Sequence, residues 1–294
     1  MAKSVHLRLG KLPTGLATYP RVLLTRRPPV TEIGEPPEFK ASVSGVSLDA
    51  ANVARYAAAC GFDDVIPPTY LHVLAMPLHL EIFACGSFPL RPMGLIHVSN
   101  VIEILGRLRA GMRLDLRVSA GNYQHTDAGL AFDMSTEALH EGEPVWRETC
   151  VFLSRWPDSV ERTGGRPPRP PKAPRDAAVL AQLNVTGQTA WTYARVSGDY
   201  NPIHLNDRAA RFFGLRGSIS HGMWSLARSL AQQPAPDLPN GVRIDTQFLT
   251  PVQLPARVAI KEWTADGRSQ RALCDVRTGR VHMCSAWSAW TAAS

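Results

Sequence analysis

Between Tyr193 and Gly214 the sequence reads YARVSGDYNPIHLNDRAARFFG. Within the seven residues from Gly198 to His204 stand a carboxylate, Asp199, an amide, Asn201, a ring-locked backbone, Pro202, and an imidazole, His204. These types can move protons: an ionised carboxylate accepts a hydrogen bond from water, and an imidazole that titrates near neutrality takes or returns a proton. Pro202 fixes its own φ and stiffens the turn on which the two side chains converge. Asn201 suits either tying the loop or holding a substrate. Taken singly, each residue also has a structural reading. Gly-Asp and Asn-Pro are turn formers, and a lone histidine is more often hydrogen-bonded architecture than a catalyst.

Elements must hold these groups in place. Asn206 is a good N-cap for the helix predicted over DRAARFF, and Gly214 is a good C-terminal stop. That helix and its following loop bring Arg208, Arg211 and Arg216 beside the turn, either to meet phosphates or an acidic partner or to face water. Next, SISHGMWSLA leads into Met223, Leu226, Ala227 and Leu230, spaced i, i+3, i+4, i+7 as one apolar face of a helix. In the first half Leu71, Leu74, Ala75, Leu78 and Ile82 predict a similar helix, which Pro77 is expected to kink and loosen. Runs such as MRLDLRVSA, LAFDMSTEAL, VWRETCVFLSRW, ARVAIKEWTA, QRALCDVRT and VHMCSAWSAW alternate as strands do.

The Pro/Arg-rich segment from Glu161 to Val179 reads as a linker between residues 1–160 and 180–294, each the size of a small domain. The two parts match faintly. NVARYAAACGFDDVIPP from Asn52 aligns with QTAWTYARVSGDYNPIH, pairing Tyr56 with Tyr193 and Gly61 with Gly198, and the segment from Gly94 resembles that from Gly241. An α+β architecture follows, an antiparallel sheet wrapped around one long helix, built twice.

The stretch YARVSGDYNPIH followed by SISHGM resembles the signature of MaoC-like dehydratases, the (R)-specific enoyl-CoA hydratase and 3-hydroxyacyl-thioester dehydratase family, whose fold is the hot-dog. The resemblance implies a double hot-dog with catalytic residues in the later repeat alone. Where the second half has Asp199 and His204, the first has Phe62 and Pro67, so the first repeat is expected to be silent. It further implies that Asp199 and His204 hold one water that adds to a trans-2-enoyl thioester. Gly222, opening the central helix, would offer its N–H to the thioester oxygen. His221 is expected to hydrogen-bond behind the site or to cap, and Asn201 and Pro202 to shape it. In the resembling two-repeat enzymes a loosened first repeat makes room for long acyl chains, and Pro77 fits either that or a kinked helix in a well-filled core. A hot-dog thioesterase and a non-catalytic acyl-binding subunit are the alternatives, and the Asp/His pair favours the hydratase.

Composition bounds the rest. With 45% apolar and 19% charged residues, the 294-residue chain is a globular protein long enough for two cores. A net charge of +7 asks for an anionic partner or a basic solvated surface, yet no basic stripe with interleaved aromatics supports nucleic acid. Five scattered cysteines, no leader-like N-terminus and no apolar run long enough to span a membrane lead to a cytoplasmic expectation. No HExxH, paired CxxC, GxSxG or phosphate-binding loop occurs, so neither metal nor nucleotide cofactor is implied, and CoA enters only as part of the substrate. Two repeats make one pseudo-dimer, which fits a monomer as well as a homodimer.

Overall fold

The structure is a computed structural model describing residues 4–13, 15–25, 27, 36–157, 173–232 and 241–289. Eleven strands form one sheet in the order β1-β2-β4-β5-β6-β3-β8-β11-β10-β9-β7. In chain order they are β1 (Ser4–Leu9), β2 (Glu38–Ser47), β3 (Ile96–Ile104), β4 (Arg113–Thr126), β5 (Gly129–His140), β6 (Glu143–Arg155), β7 (Ala178–Val185), β8 (Val242–Phe248), β9 (Ala256–Ala265), β10 (Arg268–Asp275) and β11 (Val281–Ala289). All neighbours pair antiparallel except β1, which lies parallel on β2. Setting β1 aside, the order reads alike outward from the central β3·β8 pair: β3-β6-β5-β4-β2 on one side, β8-β11-β10-β9-β7 on the other. This is a double hot-dog. The period-2 alternation does what it predicted, since Leu114, Leu116, Val118 and Ala120 of β4 all turn inward.

α1 (Gly15–Leu24) precedes the sheet proper, α2 (Ala50–Cys60) and α3 (Tyr70–Ala84) follow β2, and α4 (Gly187–Ser197), α5 (Pro202–Leu205), α6 (Asp207–Phe212) and α7 (Gly222–Leu230) follow β7. Helices α3 and α7 pack against the sheet. The repeat seen in sequence has a physical counterpart. α2 starts on an Asp49 cap and α4 on a Thr186–Thr189 capping box. Each ends on a left-handed glycine, Gly61 at φ 78° and Gly198 at φ 73°. Tyr56 and Tyr193 are both buried, with ring centroids 5.9 Å apart, so the aligned residues of the two halves pack on one another. α2 passes to α3 through Gly61–Thr69 alone, with no counterpart of α5 or α6, and there Phe62 and Pro67 are buried.

Three expectations need correction. Pro77 does not interrupt α3, which runs unbroken and is buried on nearly every side. It meets β6 through His72 and Glu148 and β5 through His79, whose Nε2 lies 2.8 Å from Thr136 Oγ1. The second central helix, α7, has only 9 residues. β7 begins at Ala178, inside the stretch read as linker, where an edge strand tolerates that composition; the rest of that linker, up to residue 172, lies outside the described residues. All five cysteines are free. Among the described residues no helix is long and apolar enough to cross a membrane.

Candidate active site

The chemistry-bearing turn is built by local hydrogen bonds. After the left-handed Gly198, the Asp199 N–H donates to Ser197 Oγ at 3.1 Å, and Asp199 Oδ1 accepts from the Asn201 N–H at 3.1 Å. Asn201 Oδ1 in turn accepts from the Ile203 N–H at 3.3 Å, capping α5, with Pro202 at its first position, where no N–H is needed. Asn201 therefore ties the loop. His204 lies on α5, and its Nδ1–H donates to the Ile219 carbonyl at 2.9 Å. That bond assigns the tautomer: Nε2 is left as an acceptor facing Asp199. Asn206 caps α6 as predicted, accepting from the N–H groups of Arg208 and Ala209. Asp207 Oδ1 accepts from the Ser218 N–H at 2.8 Å and Oγ at 2.7 Å, binding α6 to the segment that leads into α7.

Asp199, His204 and His221 converge. His204 Nε2 and His221 Nε2 each lie 4.0 Å from Asp199 Oδ2, and the two imidazoles stack with centroids 3.8 Å apart. His221 Nε2–H donates to the Asp199 backbone carbonyl at 3.1 Å; its side chain makes no cap bond although it precedes α7. Of the two roles expected for it, the hydrogen bonder behind the site is the one seen. Burial drives both imidazoles towards the neutral form. His221 falls to about 3, with His204 as a second cause, and His204 falls below its usual 6.5 despite the opposing pull of Asp199. Burial alone would raise Asp199. The imidazoles of His221 and His204, the Tyr19 hydroxyl and the Asn201 N–H outweigh it and hold the carboxyl below its ordinary value. At neutral pH the trio is a carboxylate beside two neutral imidazoles.

Gly222 is the first residue of α7, where helix geometry leaves the N–H with no intrahelical acceptor. A Cβ there would meet Phe248 Cε1 at 3.1 Å, a contact tighter than usual that the absence of a side chain avoids. Arg208, Arg211 and Arg216 are exposed around α6, next to Phe212, which is 84% exposed; Arg211 Nε also donates to the Arg216 carbonyl at 3.3 Å.

Two groups of residues escaped the sequence reading. Tyr19, from α1, donates its hydroxyl to Asp199 Oδ1 at 2.7 Å. The second group is a buried network in the first half. His72 Nδ1 meets Glu148 Oε2 at 2.8 Å, Asn100 Nδ2 donates to Glu148 Oε1 at 2.6 Å, and Cys150 Sγ lies 3.9 Å from His72 Nδ1. Burial would lower His72, but Glu148 raises it; burial would raise Glu148, but His72 brings it down to about 2, so the pair is ionic. One signal was available: Glu148 shares the strand parity of the inward-facing Trp146 and Cys150. Both polar groups bring together atom types that ligate metals. In each, one imidazole nitrogen is hydrogen-bonded to a protein partner, and His204 Nε2 is left to accept.

The chain is similar to known proteins. A family model described as "MaoC like domain" matches residues 168–284, which span the turn, α5, α6 and Gly222. The chain is 32% identical over 274 residues to the 3-hydroxyacyl-thioester dehydratase X of Mycobacterium tuberculosis, covering 92% of this chain and 96% of the relative. The chain belongs to the MaoC-like dehydratase family. As a member of that family it is an enzyme of the hydro-lyase class. The crystal structure of the mycobacterial dehydratase superposes with a TM-score of 0.73 at 30% identity, covering 84% of this chain and 98% of that one. A second relative, the peroxisomal enoyl-CoA hydratase 2 of Arabidopsis thaliana, is 26% identical over 220 residues, 66% of this chain and 71% of its own length.

Proposed function

We propose that this MaoC-like enzyme hydrates trans-2-enoyl thioesters to (3R)-3-hydroxyacyl thioesters, and runs the reverse dehydration, through one water held by Asp199 and His204. The observation that carries this reading is the 4.0 Å separation of Asp199 Oδ2 and His204 Nε2, both acceptors. A water in hydrogen-bond reach of both donates one proton to each and keeps a lone pair for C3. As its oxygen bonds to C3, Nε2 takes one proton, and the displaced electron pair moves through C2 to the thioester oxygen. The N–H of Gly222 stabilises that developing enolate. The imidazolium, steadied by the Asp199 carboxylate, then returns its proton to C2 as the enolate collapses to the thioester. Water and double bond are fully accounted for, with no cofactor in the balance. Addition from one fixed side favours one product hand, which the family resemblance makes (3R).

The relatives named for 3-hydroxyacyl thioesters and for enoyl-CoA support the thioester class. The exposed Arg208, Arg211 and Arg216 beside the turn suit the phosphates of CoA or the acidic surface of a carrier protein. The first repeat, with Phe62 and Pro67 in place of the pair, contributes no second centre, and residues 180–294 carry the reaction. The test is purified protein with trans-2-enoyl-CoA of several chain lengths, followed by loss of the conjugated thioester absorbance. Loss, with the product oxidised by an (R)-specific but not an (S)-specific 3-hydroxyacyl-CoA dehydrogenase, is expected. Release of free CoA at the rate of absorbance loss overturns the reading in favour of a thioesterase.

A further inference from the structure

The first forty residues carry no recognisable motif, yet α1 lies directly on the catalytic turn. Its anchoring is specific. Thr18 Oγ1 donates to Glu81 Oε1 at 2.8 Å, and Arg21 Nη1 reaches both oxygens of Glu81 at 2.9 Å. Just beyond α1, Arg27 donates to the carbonyls of Phe83 at 2.9 Å and Cys85 at 2.7 Å, closing the C-terminal end of α3 where helix carbonyls lack partners and a cation is favoured. The segment is thus clamped to the second half of α3 at both ends, with Tyr19 and Val22 buried between. None of these clamps needs the Tyr19 hydroxyl, which instead reaches the Asp199 carboxylate, 180 positions away in sequence.

We propose that the α1 segment completes the active site and that Tyr19 is a positioning residue, fixing the Asp199 carboxylate so that Oδ1 is occupied and Oδ2 alone faces the reacting water. This rests on the hydration reading above. The terminal torsion of an aspartate is soft and nearly two-fold, so the carboxylate is not held by its rotamer alone. Oδ1 accepts from the Tyr19 hydroxyl and from the Asn201 N–H, while Oδ2 is the oxygen 4.0 Å from His204 Nε2. With the hydroxyl removed, one donor remains, the carboxylate turns more freely, and the water loses its fixed second acceptor. Burial and Asp199 push the Tyr19 hydroxyl well above its usual range, so it stays a donor at every working pH. The family-model match begins at residue 168, so Tyr19 lies outside what that match covers.

The test is Tyr19→Phe in the full chain, which keeps the buried ring and all the clamps of α1. The expected result is a kcat lower by about 10- to 100-fold, the range of one charge-assisted hydrogen bond, with KM and melting temperature nearly unchanged. In an Asp199→Asn background the same change is expected to cost little more, because the two residues act as a unit. Wild-type kcat in Tyr19→Phe overturns the proposal. So does a raised KM at unchanged kcat, which assigns the hydroxyl to substrate binding, and so do losses that multiply in the double variant. If the wild type turns over no enoyl thioester, the hydration reading is what fails. The positioning claim is then decided by NMR titration of His204, which Tyr19→Phe is expected to shift upward as the freed carboxylate turns to the imidazole; a superposable titration overturns it.

Discussion

At the scale of single residues the site works by contrast between neighbours. The buried imidazole of His204 stays neutral because it is desolvated, while Asp199 stays ionised because four neighbours favour its charge. Hydration needs the neutral imidazole, so kcat/KM is expected to be flat above pH 6.5 and to decline only below it, as His204 protonates through its lowered value; a pH–rate profile with its acid edge above pH 6.5 contradicts this. Gly222→Ala keeps the N–H but sets a methyl beside it, 3.1 Å from Phe248, and is expected to cut kcat up to roughly 100-fold by holding the thioester oxygen away from that donor, with the fold intact by circular dichroism. Asp199, His204 and Gly222 were legible in the sequence because two short stretches carry them, and spacing along one turn is nearly geometry. Tyr19 was not. Its partner lies 180 positions away, and nothing in GLATYPRVLL marks one tyrosine as facing a carboxylate.

Among elements, the caps transmit the sequence most directly. Asn206 and Gly214 sit where capping chemistry predicted, and Asn201 and Gly198, read in the sequence only as turn residues, cap α5 and α4 as well. α3 shows where local rules lose. Pro77 withholds one N–H, yet dense burial around the helix keeps it continuous. Similarly, β1 went unseen since its parallel pairing with β2 is a long-range event. α6 offers a functional prediction. Arg208→Glu with Arg211→Glu is expected to raise KM for the thioester about tenfold at low salt, less at high salt, and to leave kcat unchanged, as a steering surface does. A salt-independent loss of kcat instead would place these arginines in the structure of the turn.

Over the whole molecule, the two halves were visible as a faint repeat because Tyr56 with Tyr193 and Gly61 with Gly198 hold equivalent places about the β3·β8 seam. What the repeat hid is a buried ion pair in the first half, His72–Glu148, between α3 and β6 and 76 residues apart in sequence. Removing one member strands a buried charge. Glu148→Ala is therefore expected to lose about 3–5 kcal/mol of stability, lowering the melting temperature on the order of 10 °C in scanning calorimetry. The pair also sets a pH window. Glu148, at about 2 when folded against 4.5 ordinarily, contributes above pH 4.5 and loses its contribution as pH falls towards 2. His72, raised above 6.5, contributes fully below pH 6.5 and loses its contribution as pH rises through its folded value. Wild type minus Glu148→Ala should thus differ most between pH 4.5 and 6.5.

The central claim, one water shared by Asp199 and His204, is tested most directly by the hydration rates of Asp199→Asn, His204→Gln and the double variant on one trans-2-enoyl-CoA. Each single change is expected to lower kcat by roughly 10²- to 10⁴-fold, and the double variant to be no worse than the poorer single one, because either loss already releases the water. Near-wild-type rates in a single variant, or losses that multiply in the double, would contradict the account.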